Sequence, residues 1–260
     1  FQISERNSLK AEPLFADRGV IYDRKGIELA WNIVHSKGEA YLERRYIASP
    51  GFAHLLGYVS YPEKDSDGHY WQTEYIGKDG VEDEYNDIIS GKNGARLFET
   101  YALGNRKPGS ALNLPEHGTN LNLTIDSRIQ SKMHEAIVGL ALRAGYTGGA
   151  GLIMDVKSGE MIALTSYPEY DPNVLATGED KETIQGYLLD TTKKPFINRA
   201  VSGVYTPGSI VKPFVALGAL EENIVDPNQS FYSSGELVVP NPYYPELKSI
   251  FKDWKEEGHG

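Results

Sequence analysis

The chain contains no cysteine among its 260 residues. Disulfides, thiol catalysis and cysteine-ligated zinc sites are therefore excluded. Its six histidines show no His-Glu-x-x-His or other metal-ligand spacing, so we assign no metal and no cofactor. A sequence without cysteine is compatible with an oxidising compartment of the cell envelope.

Positive charge and long apolar runs are also scarce. The 26 lysines and arginines are outnumbered by 36 acidic residues, which gives a net charge of −10. Such an acidic surface argues against nucleic acid as a partner, because phosphate groups would be repelled. No run approaches the ~20 apolar residues of a membrane-spanning helix, and no signal peptide opens the chain. The length allows one large or two ordinary domains.

The most informative feature that is present is the run Tyr-Thr-Pro-Gly-Ser-Ile-Val-Lys-Pro at residues 205–213. Ser209 and Lys212 are three residues apart, so they share one face of a helix. Pro207-Gly208 is typical of a turn. The apolar residues 214–220 predict a buried helix. Because Pro213 has no N–H, it is tolerated only near the start of that helix, which places Ser209 at or just before the first turn.

This placement suits a serine nucleophile. The positive end of the helix and the local N–H groups favour an oxyanion, and a neutral Lys212 could accept the proton of Ser209. The alternative is a helix-capping Ser209 beside a solvated Lys212. A second Ser-x-x-Lys, at Ser249 and Lys252, has neither the Pro-Gly turn nor the apolar helix, and we interpret it as a surface turn.

Ser209-Ile210-Val211-Lys212 resembles the active-site motif of the penicillin-binding proteins. Four other stretches resemble the class B, or monofunctional, branch of that family in the same order along the chain. The first is Arg-Gly-Val-Ile-Tyr-Asp-Arg-Lys-Gly at residues 18–26, and the others are residues 80–94, 123–126 and 155–200. These stretches are spread along the chain, so the resemblance extends over nearly its whole length.

The resemblance implies a peptidoglycan D,D-transpeptidase that acylates its serine on a D-Ala-D-Ala stem peptide and is acylated by β-lactams. It assigns Ser209 as the nucleophile, with its backbone N–H in the oxyanion hole, and Lys212 as the general base. Residues 251–254 and 258–260 look most like the elongation type, which acts in rod-shape maintenance. Implied partners are membrane proteins of cell-wall elongation or division, at the periplasmic face of the inner membrane. Such proteins carry an N-terminal anchor helix ahead of the segment where this chain starts.

Two motifs that the family places after the serine, Ser-x-Asn and Lys-Thr/Ser-Gly, do not follow Ser209. Lys157-Ser158-Gly159 spells the second of them but precedes the serine, and its β-prone flanks predict a hairpin loop. The strand that carries Lys-Thr/Ser-Gly should supply one N–H of the oxyanion hole. The loss of such a donor alone costs ~10²–10³ in rate. We therefore expect the 260-residue chain to be a fragment that is inactive by itself.

We predict an α+β fold with two domains. Residues 1–118 would form a β-rich pedestal, meaning the non-catalytic N-terminal (dimerisation-type) domain, and residues 119–260 an incomplete transpeptidase domain with helices on an antiparallel sheet. The pedestal pattern predicts strands at 19–22, 46–48, 55–59 and 96–103, a short helix at 83–89 and a loop at 105–119.

The second domain begins with a predicted strand at 121–125. Asp126 or Ser127 would then cap a helix that ends at Gly145. The apolar residues of that helix should face the core; they are Ile129, Met133, Ala136, Ile137, Leu140, Ala141 and Ala144. A hairpin at 148–154 and 161–166 and a helical turn at 183–189 follow, and the tail 227–260 should be poorly ordered.

Charged residues of the pedestal invite a catalytic interpretation that we do not favour. Arg18, Asp23 and Arg24 are more typical of structural ion pairs, and Glu82 of a buried one. Two other functions remain open on the same motifs. One is a β-lactam sensor or serine β-lactamase, which would not need the pedestal signature. The other is a non-catalytic scaffold for elongation partners.

Overall fold

The computed structural model describes residues 8–100 and 110–260. It contains two compact units, residues 1–204 and 205–260. Helices and short sheets alternate in the described chain, so the fold is α+β as predicted. The contacts divide the chain at residue 205. They do not test the predicted division after residue 118, which stays a prediction.

The first unit starts with two small sheets. One is antiparallel, with β9 (Gly94–Thr100) between β1 (Ser8–Leu14) and β10 (Ser110–Asn113). The other has the order β11-β2-β3-β4, and β11 lies parallel to β2. Its strands are β2 (Ile21–Tyr22), β3 (Glu28–Val34), β4 (Leu42–Tyr46) and β11 (Leu121–Asn122).

Shorter elements fill the pedestal between these sheets. Two strand pairs are antiparallel, β5 with β8 and β6 with β7. The strands are β5 (Val59–Ser60), β6 (Glu63–Lys64), β7 (Tyr70–Gln72) and β8 (Ile76–Gly77), and the helices are α1 (Ala53–Leu56), α2 (Gly80–Glu84) and α3 (Asn86–Ile89). The core beneath them is apolar and aromatic, and includes Ile21, Leu29, Leu56, Val59 and Ile89.

Several pedestal predictions are confirmed, among them the strand at 19–22, which contains β2. Three are wrong, the first being the strand predicted at 46–48, because β4 ends at Tyr46. The short helix expected at 83–89 appears as α2 and α3, and a strand occupies most of 96–103, of which 101–103 lie outside the described residues. Residues 53–56 form a helix where a strand was predicted at 55–59, because their side chains pack into the core on one side. The loop predicted at 105–119 contains strand β10, which pairs with β9; its residues 105–109 lie outside the described part.

Helix α4 (Ser127–Ala144) begins and ends as predicted. Asp126 accepts a hydrogen bond from the backbone N–H of Arg128 at 3.1 Å, and Gly145 ends the helix in the left-handed region with φ 73°. Its predicted apolar core face is only partly right, because Ala141 is buried and Met133 and Ile137 are half-buried, but other members of that face are exposed. Leu140 is 53% exposed and Ile129 39%, whereas Gln130 and His134 are buried. Gln130 forms hydrogen bonds with Leu164, and His134 forms one with Thr165. These bonds explain why polar side chains occupy the inner face.

The antiparallel hairpin after α4 is confirmed, with strands β12 (Gly149–Met154) and β13 (Met161–Tyr167). Two helices follow it, α5 (Pro172–Thr177) and α6 (Lys181–Leu189), the second of which was expected as a helical turn.

The second unit carries the serine motif. A 3₁₀ turn (Gly208–Val211) leads directly into α7 (Lys212–Glu221), and a hairpin of β14 (Glu236–Pro240) and β15 (Lys248–Lys252) follows. The tail is therefore ordered by backbone pairing, contrary to the prediction. The helix is not buried either, since Phe214 is 74% exposed. An apolar helix needs cover on all sides, and this unit offers only one two-stranded hairpin.

Candidate active site

The backbone of the serine motif turns sharply before the helix begins. Gly208 has φ +58°, a conformation that side chains other than glycine rarely adopt. Residues 208–211 then form a 3₁₀ turn, and Pro213 lies in the first turn of α7, where its missing N–H has no cost. The order of turn, serine and helix is the one that the sequence predicted.

Ser209 and Lys212 lie on adjoining positions of this turn. The backbone N–H of Lys212 donates to the carbonyl of Ser209, which closes one 3₁₀ turn. Since a 3₁₀ turn has 3.0 residues, side chains three apart eclipse each other, and the two side chains leave the same side of the backbone. Both residues are exposed. Within the described residues, no hydrogen bond joins the Ser209 hydroxyl to the Lys212 amine.

The structure also bears on the alternative role of Ser209 as a helix cap. The residue before α7 is Val211, and the residue before the 3₁₀ turn is Pro207; neither position has a side-chain capping bond. Ser209 occupies neither place. The motif therefore holds a serine that caps neither element, which weakens the capping alternative.

The second Ser-x-x-Lys behaves differently. Ser249 and Lys252 lie on strand β15, so the surface turn we predicted there is wrong. Side chains alternate between the two faces of a strand, and residues three apart point to opposite faces. Their side chains cannot cooperate as a nucleophile and a base, so the conclusion that this pair is not catalytic still follows.

The Lys-Ser-Gly sequence before the serine forms the hairpin loop that its flanks predicted. Asp155 accepts hydrogen bonds from the backbone N–H groups of Lys157 at 2.8 Å and Ser158 at 2.9 Å, and Gly159 has φ +78°. The hydrogen bonds from Ser158 and Lys157 hold the pKa of Asp155 below its ordinary value. This loop is a turn between β12 and β13 and is not the missing motif.

A buried charge cluster lies in the pedestal. Glu82 accepts hydrogen bonds from the Nε of Arg18 at 2.6 Å and from the Nε of Arg44 at 2.7 Å, and all three side chains are fully buried. The Arg44 Nη1 also donates to Asn32 at 3.1 Å. The predicted buried ion pair of Glu82 is confirmed. Sequence reasoning missed Arg44, because the adjacent Arg44 and Arg45 look alike and only strand alternation could have separated them.

Asp23 does not join that cluster. Its carboxylate accepts from the backbone N–H groups of Lys25 at 2.8 Å and Ile27 at 2.9 Å, and from the Ser127 hydroxyl at 2.7 Å. Burial alone would raise the pKa of Asp23, but the hydrogen bonds from Ser127 and the backbone outweigh it and hold the pKa below its usual value. Arg24 instead pairs with Glu160 at 3.2 Å. The roles of these charges are structural, as expected.

Two buried histidines were also missed by sequence reasoning. The Nε2 of His54 lies 2.8 Å from the carbonyl of Pro195, and the Nδ1 of His134 lies 2.9 Å from the Thr165 hydroxyl. Burial lowers the pKa of both imidazoles. They connect the pedestal and helix α4 to later segments, and no sequence pattern marks them.

Across residues 8–100 and 110–260, no group of three or more His, Asp or Glu side chains is arranged to hold a metal ion. In the same ranges no helix has the length and apolar character needed to cross a membrane.

Two family models match the chain. Residues 36–123 match the penicillin-binding protein dimerisation domain, and residues 149–258 match the penicillin binding protein transpeptidase domain. Both lie in the order that the motifs predicted. Together with the pedestal and the serine turn, they define the class: the chain belongs to the class B penicillin-binding proteins.

Individual relatives narrow this further. The chain is 33% identical to the peptidoglycan D,D-transpeptidase MrdA of Haemophilus influenzae over 85% of the chain, and 31% identical to that of Escherichia coli K12 over the same share. These alignments cover 33% and 34% of the relatives, so the chain spans about a third of the length of the curated relatives it matches. The similarity places it with the elongation-type members.

Solved structures agree. A complex of penicillin-binding protein PBP2 and MreC from Helicobacter pylori has a TM-score of 0.74 at 25% identity, covering 98% of this chain and 59% of that one. Pseudomonas aeruginosa PBP2 in complex with WCK 5153 has a TM-score of 0.73 at 28% identity, covering 96% and 49%. The fold of the chain is thus that of a PBP2-type pedestal followed by part of a transpeptidase domain.

Proposed function

We propose that this chain contributes the acylation centre of a peptidoglycan D,D-transpeptidase, with Ser209 as the nucleophile and Lys212 as the general base. The observation that carries the proposal is the 3₁₀ turn, which sets the two side chains on one side of the backbone at the mouth of an apolar helix. The family membership and the MrdA relatives support the same reaction class.

The chemistry requires a neutral Lys212 amine to accept the Ser209 proton while the Oγ attacks the carbonyl carbon between the two terminal D-alanines. The C–N bond then breaks, the lysine returns the proton to the leaving D-Ala amine, and an ester remains on Ser209. The amine of a second stem peptide attacks this ester, which forms the cross-link and restores the serine. A β-lactam carbonyl would react in the first step only. In this proposal the backbone N–H of Ser209, near the positive helix end, stabilises the oxyanion.

The surroundings of the protein are part of the proposal. Relatives in solved structures include a PBP2 with MreC and a peptidoglycan synthase complex. We infer similar partners of cell-wall elongation for this chain, and a place at the periplasmic face of the inner membrane. The pedestal residues 36–123 would provide the docking surface.

Fluorescent penicillin tests the nucleophile. In the 260-residue chain we expect labelling that is too slow to reach stoichiometry, because the Ser-x-Asn and Lys-Thr/Ser-Gly motifs do not follow Ser209. Peptide mapping should place the label on Ser209 alone. The label should disappear in Ser209→Ala and persist in Ser249→Ala, which removes the serine of the matched strand motif.

Each other result has a definite meaning. Labelling that survives Ser209→Ala would contradict the nucleophile assignment, whereas the absence of any adduct would agree with the expected inactivity of the chain by itself. Rapid stoichiometric labelling at Ser209 would leave the assignment intact and refute the expected inactivity of the isolated chain.

A further inference from the structure

A cavity of about 380 Å³ lies within the first unit, and none of the residues assigned to the reaction lines it. Its wall is formed by the turn between β3 and β4, the segment around β5 and the end of helix α5. Small-molecule and side-chain sites in proteins are commonly of this size. The region belongs largely to the part of the chain that matches the dimerisation domain.

Part of the cavity lining is aromatic. Tyr41 and Tyr61 are stacked with ring centroids 5.6 Å apart and planes inclined by 19°, and His35 meets Tyr41 edge-on at 5.0 Å. All three residues line the cavity. Aromatic faces attract cations through their negative quadrupole, and the attraction grows when water is excluded.

Another part of the cavity lining carries carboxylates. Four glutamates, Glu39, Glu43, Glu63 and Glu179, line the cavity together with one lysine, Lys37. Lys37, Arg45 and Lys64 pair with Glu179, Glu43 and Glu39, which leaves one carboxylate in excess. The Lys37 amine is held by Glu179 at 2.8 Å, and both side chains are more than half exposed. Glu39 is engaged by Lys64 at 2.5 Å.

Glu43 differs from these exposed pairs because its side chain is only 4% exposed. Its Oε1 is paired with Arg45 at 2.8 Å. Its Oε2 accepts one hydrogen bond in the described chain, a long one of 3.5 Å from the backbone N–H of Ser36. A carboxylate oxygen can accept about two strong hydrogen bonds, so this buried oxygen keeps acceptor capacity at the cavity wall.

We propose that this cavity binds one cationic side chain, a lysine or an arginine, presented by an extended segment of a partner protein. Glu43 Oε2 accepts the hydrogen bond from the cation, and the Tyr41–Tyr61 stack contacts its alkyl stem and charge. A protein is favoured as the source of this side chain because the surrounding region matches the penicillin-binding protein dimerisation domain. The inference does not depend on the proposed catalytic role of Ser209, which lies in the other unit, but it rests on the proposed docking role of residues 36–123.

The test uses the isotope-labelled 260-residue chain and three peptides, acetyl-Gly-Ser-X-Ser-Gly-amide with X as lysine, arginine or norleucine. Binding is followed by amide and aromatic NMR shifts at low salt. For a single anchored side chain we expect a dissociation constant that is roughly millimolar. The lysine or arginine peptide should shift the signals of His35, Tyr41 and Tyr61, whereas the norleucine peptide should not. Binding should weaken at 0.5 M salt.

Two variants locate the site. Glu43→Gln should weaken binding by at least about tenfold, a change expected when a charge-assisted hydrogen bond becomes a neutral one. Ser60→Leu, at the cavity wall, should abolish it by filling the space while leaving Glu43 in place. Glu84→Gln, an exposed glutamate of α2 outside the cavity, is the matched control and should bind like the wild type. Unchanged backbone spectra show that each variant is folded.

The remaining outcomes overturn the proposal. Equal shifts with the norleucine peptide would mean an apolar crevice without preference for charge. No shift at 10-fold excess over the expected dissociation constant would mean no site. Binding of a peptidoglycan fragment in the cavity without binding of either basic peptide would assign it to a wall ligand instead.

Discussion

At the scale of single residues, the pedestal is organised by a carboxylate shared between two guanidinium groups. Glu82 contributes one oxygen to each arginine, and the cluster keeps a formal charge of +1 without exposure to water. Such an arrangement is weak evidence for net stability, because desolvation offsets most of the attraction. Removal of the carboxylate alone should nevertheless be strongly destabilising, since it leaves buried positive charge without a counter-ion.

We therefore predict that Glu82→Gln destabilises the first unit by about 3–5 kcal/mol. Glutamine keeps the shape but removes the negative charge, which leaves Arg18 and Arg44 buried without a counter-ion. The free energy of unfolding in urea measures the effect. Glu84→Gln, on the same helix but exposed, should change it by less than about 0.5 kcal/mol. Equal effects of both substitutions would refute the role of the buried cluster.

At the scale of elements, a glutamine connects helix α4 to the hairpin. The Gln130 amide donates to the carbonyls of Gly51 and Leu164, each at 2.5 Å, and accepts from the Leu164 N–H at 2.7 Å. The side chain is fully buried. It thus satisfies three backbone groups that would otherwise be buried without partners.

Substitution of this residue by leucine should be costly even though leucine is apolar and similar in size. We expect Gln130→Leu to lose about 1–3 kcal/mol for each backbone group left unpaired, and the Leu164 amide to exchange its hydrogen much faster. Hydrogen exchange followed by NMR measures this locally. Gln185→Leu, on exposed helix α6, is the control; protection of Leu164 that stays unchanged in Gln130→Leu would contradict the expectation.

The same helix shows what the sequence can and cannot predict. The sequence predicted where the helix begins and ends, because Asp126 and Gly145 act through local backbone chemistry. The sequence did not predict which side chains face the core, because Gln130 is buried through its hydrogen bonds to strand β13, which is distant in sequence. The serine turn was predicted from local Pro-Gly chemistry, whereas the exposure of α7 and the pairing of β14 with β15 depend on which layers surround them. Local signals were reliable, and burial was not.

At the scale of the whole molecule, the first unit is fastened by buried titratable groups between distant segments. His54 contacts Pro195, and Glu169 accepts from the backbone N–H groups of Gly51 at 2.7 Å and Ala53 at 3.1 Å. Burial lowers the pKa of His54 and raises that of Glu169. These two shifts have opposite consequences for the pH dependence of stability.

For His54, the unfolded chain binds more protons than the folded one below the ordinary histidine pKa of about 6.5, so its contribution is complete above that pH and is lost as the pH falls. For Glu169, the folded state binds more protons above about 4.5, so its contribution is lost as the pH rises from there towards its raised pKa. Two buried histidines, His54 and His134, act in one direction and one glutamate acts in the other, so we expect stability to rise between about pH 5.5 and 7.

We predict that the free energy of unfolding of the first unit increases from pH 5.5 to 7, and that His54→Gln flattens this increase. Glutamine retains an amide donor for the Pro195 carbonyl but does not titrate. The substitution therefore removes the titrating group while it keeps a hydrogen-bond donor. His69→Gln is the control, because that side chain is 61% exposed. Urea unfolding at several pH values gives the slopes. A wild-type slope of the opposite sign, or one that His54→Gln leaves unchanged, would show that this buried imidazole stays uncoupled from folding.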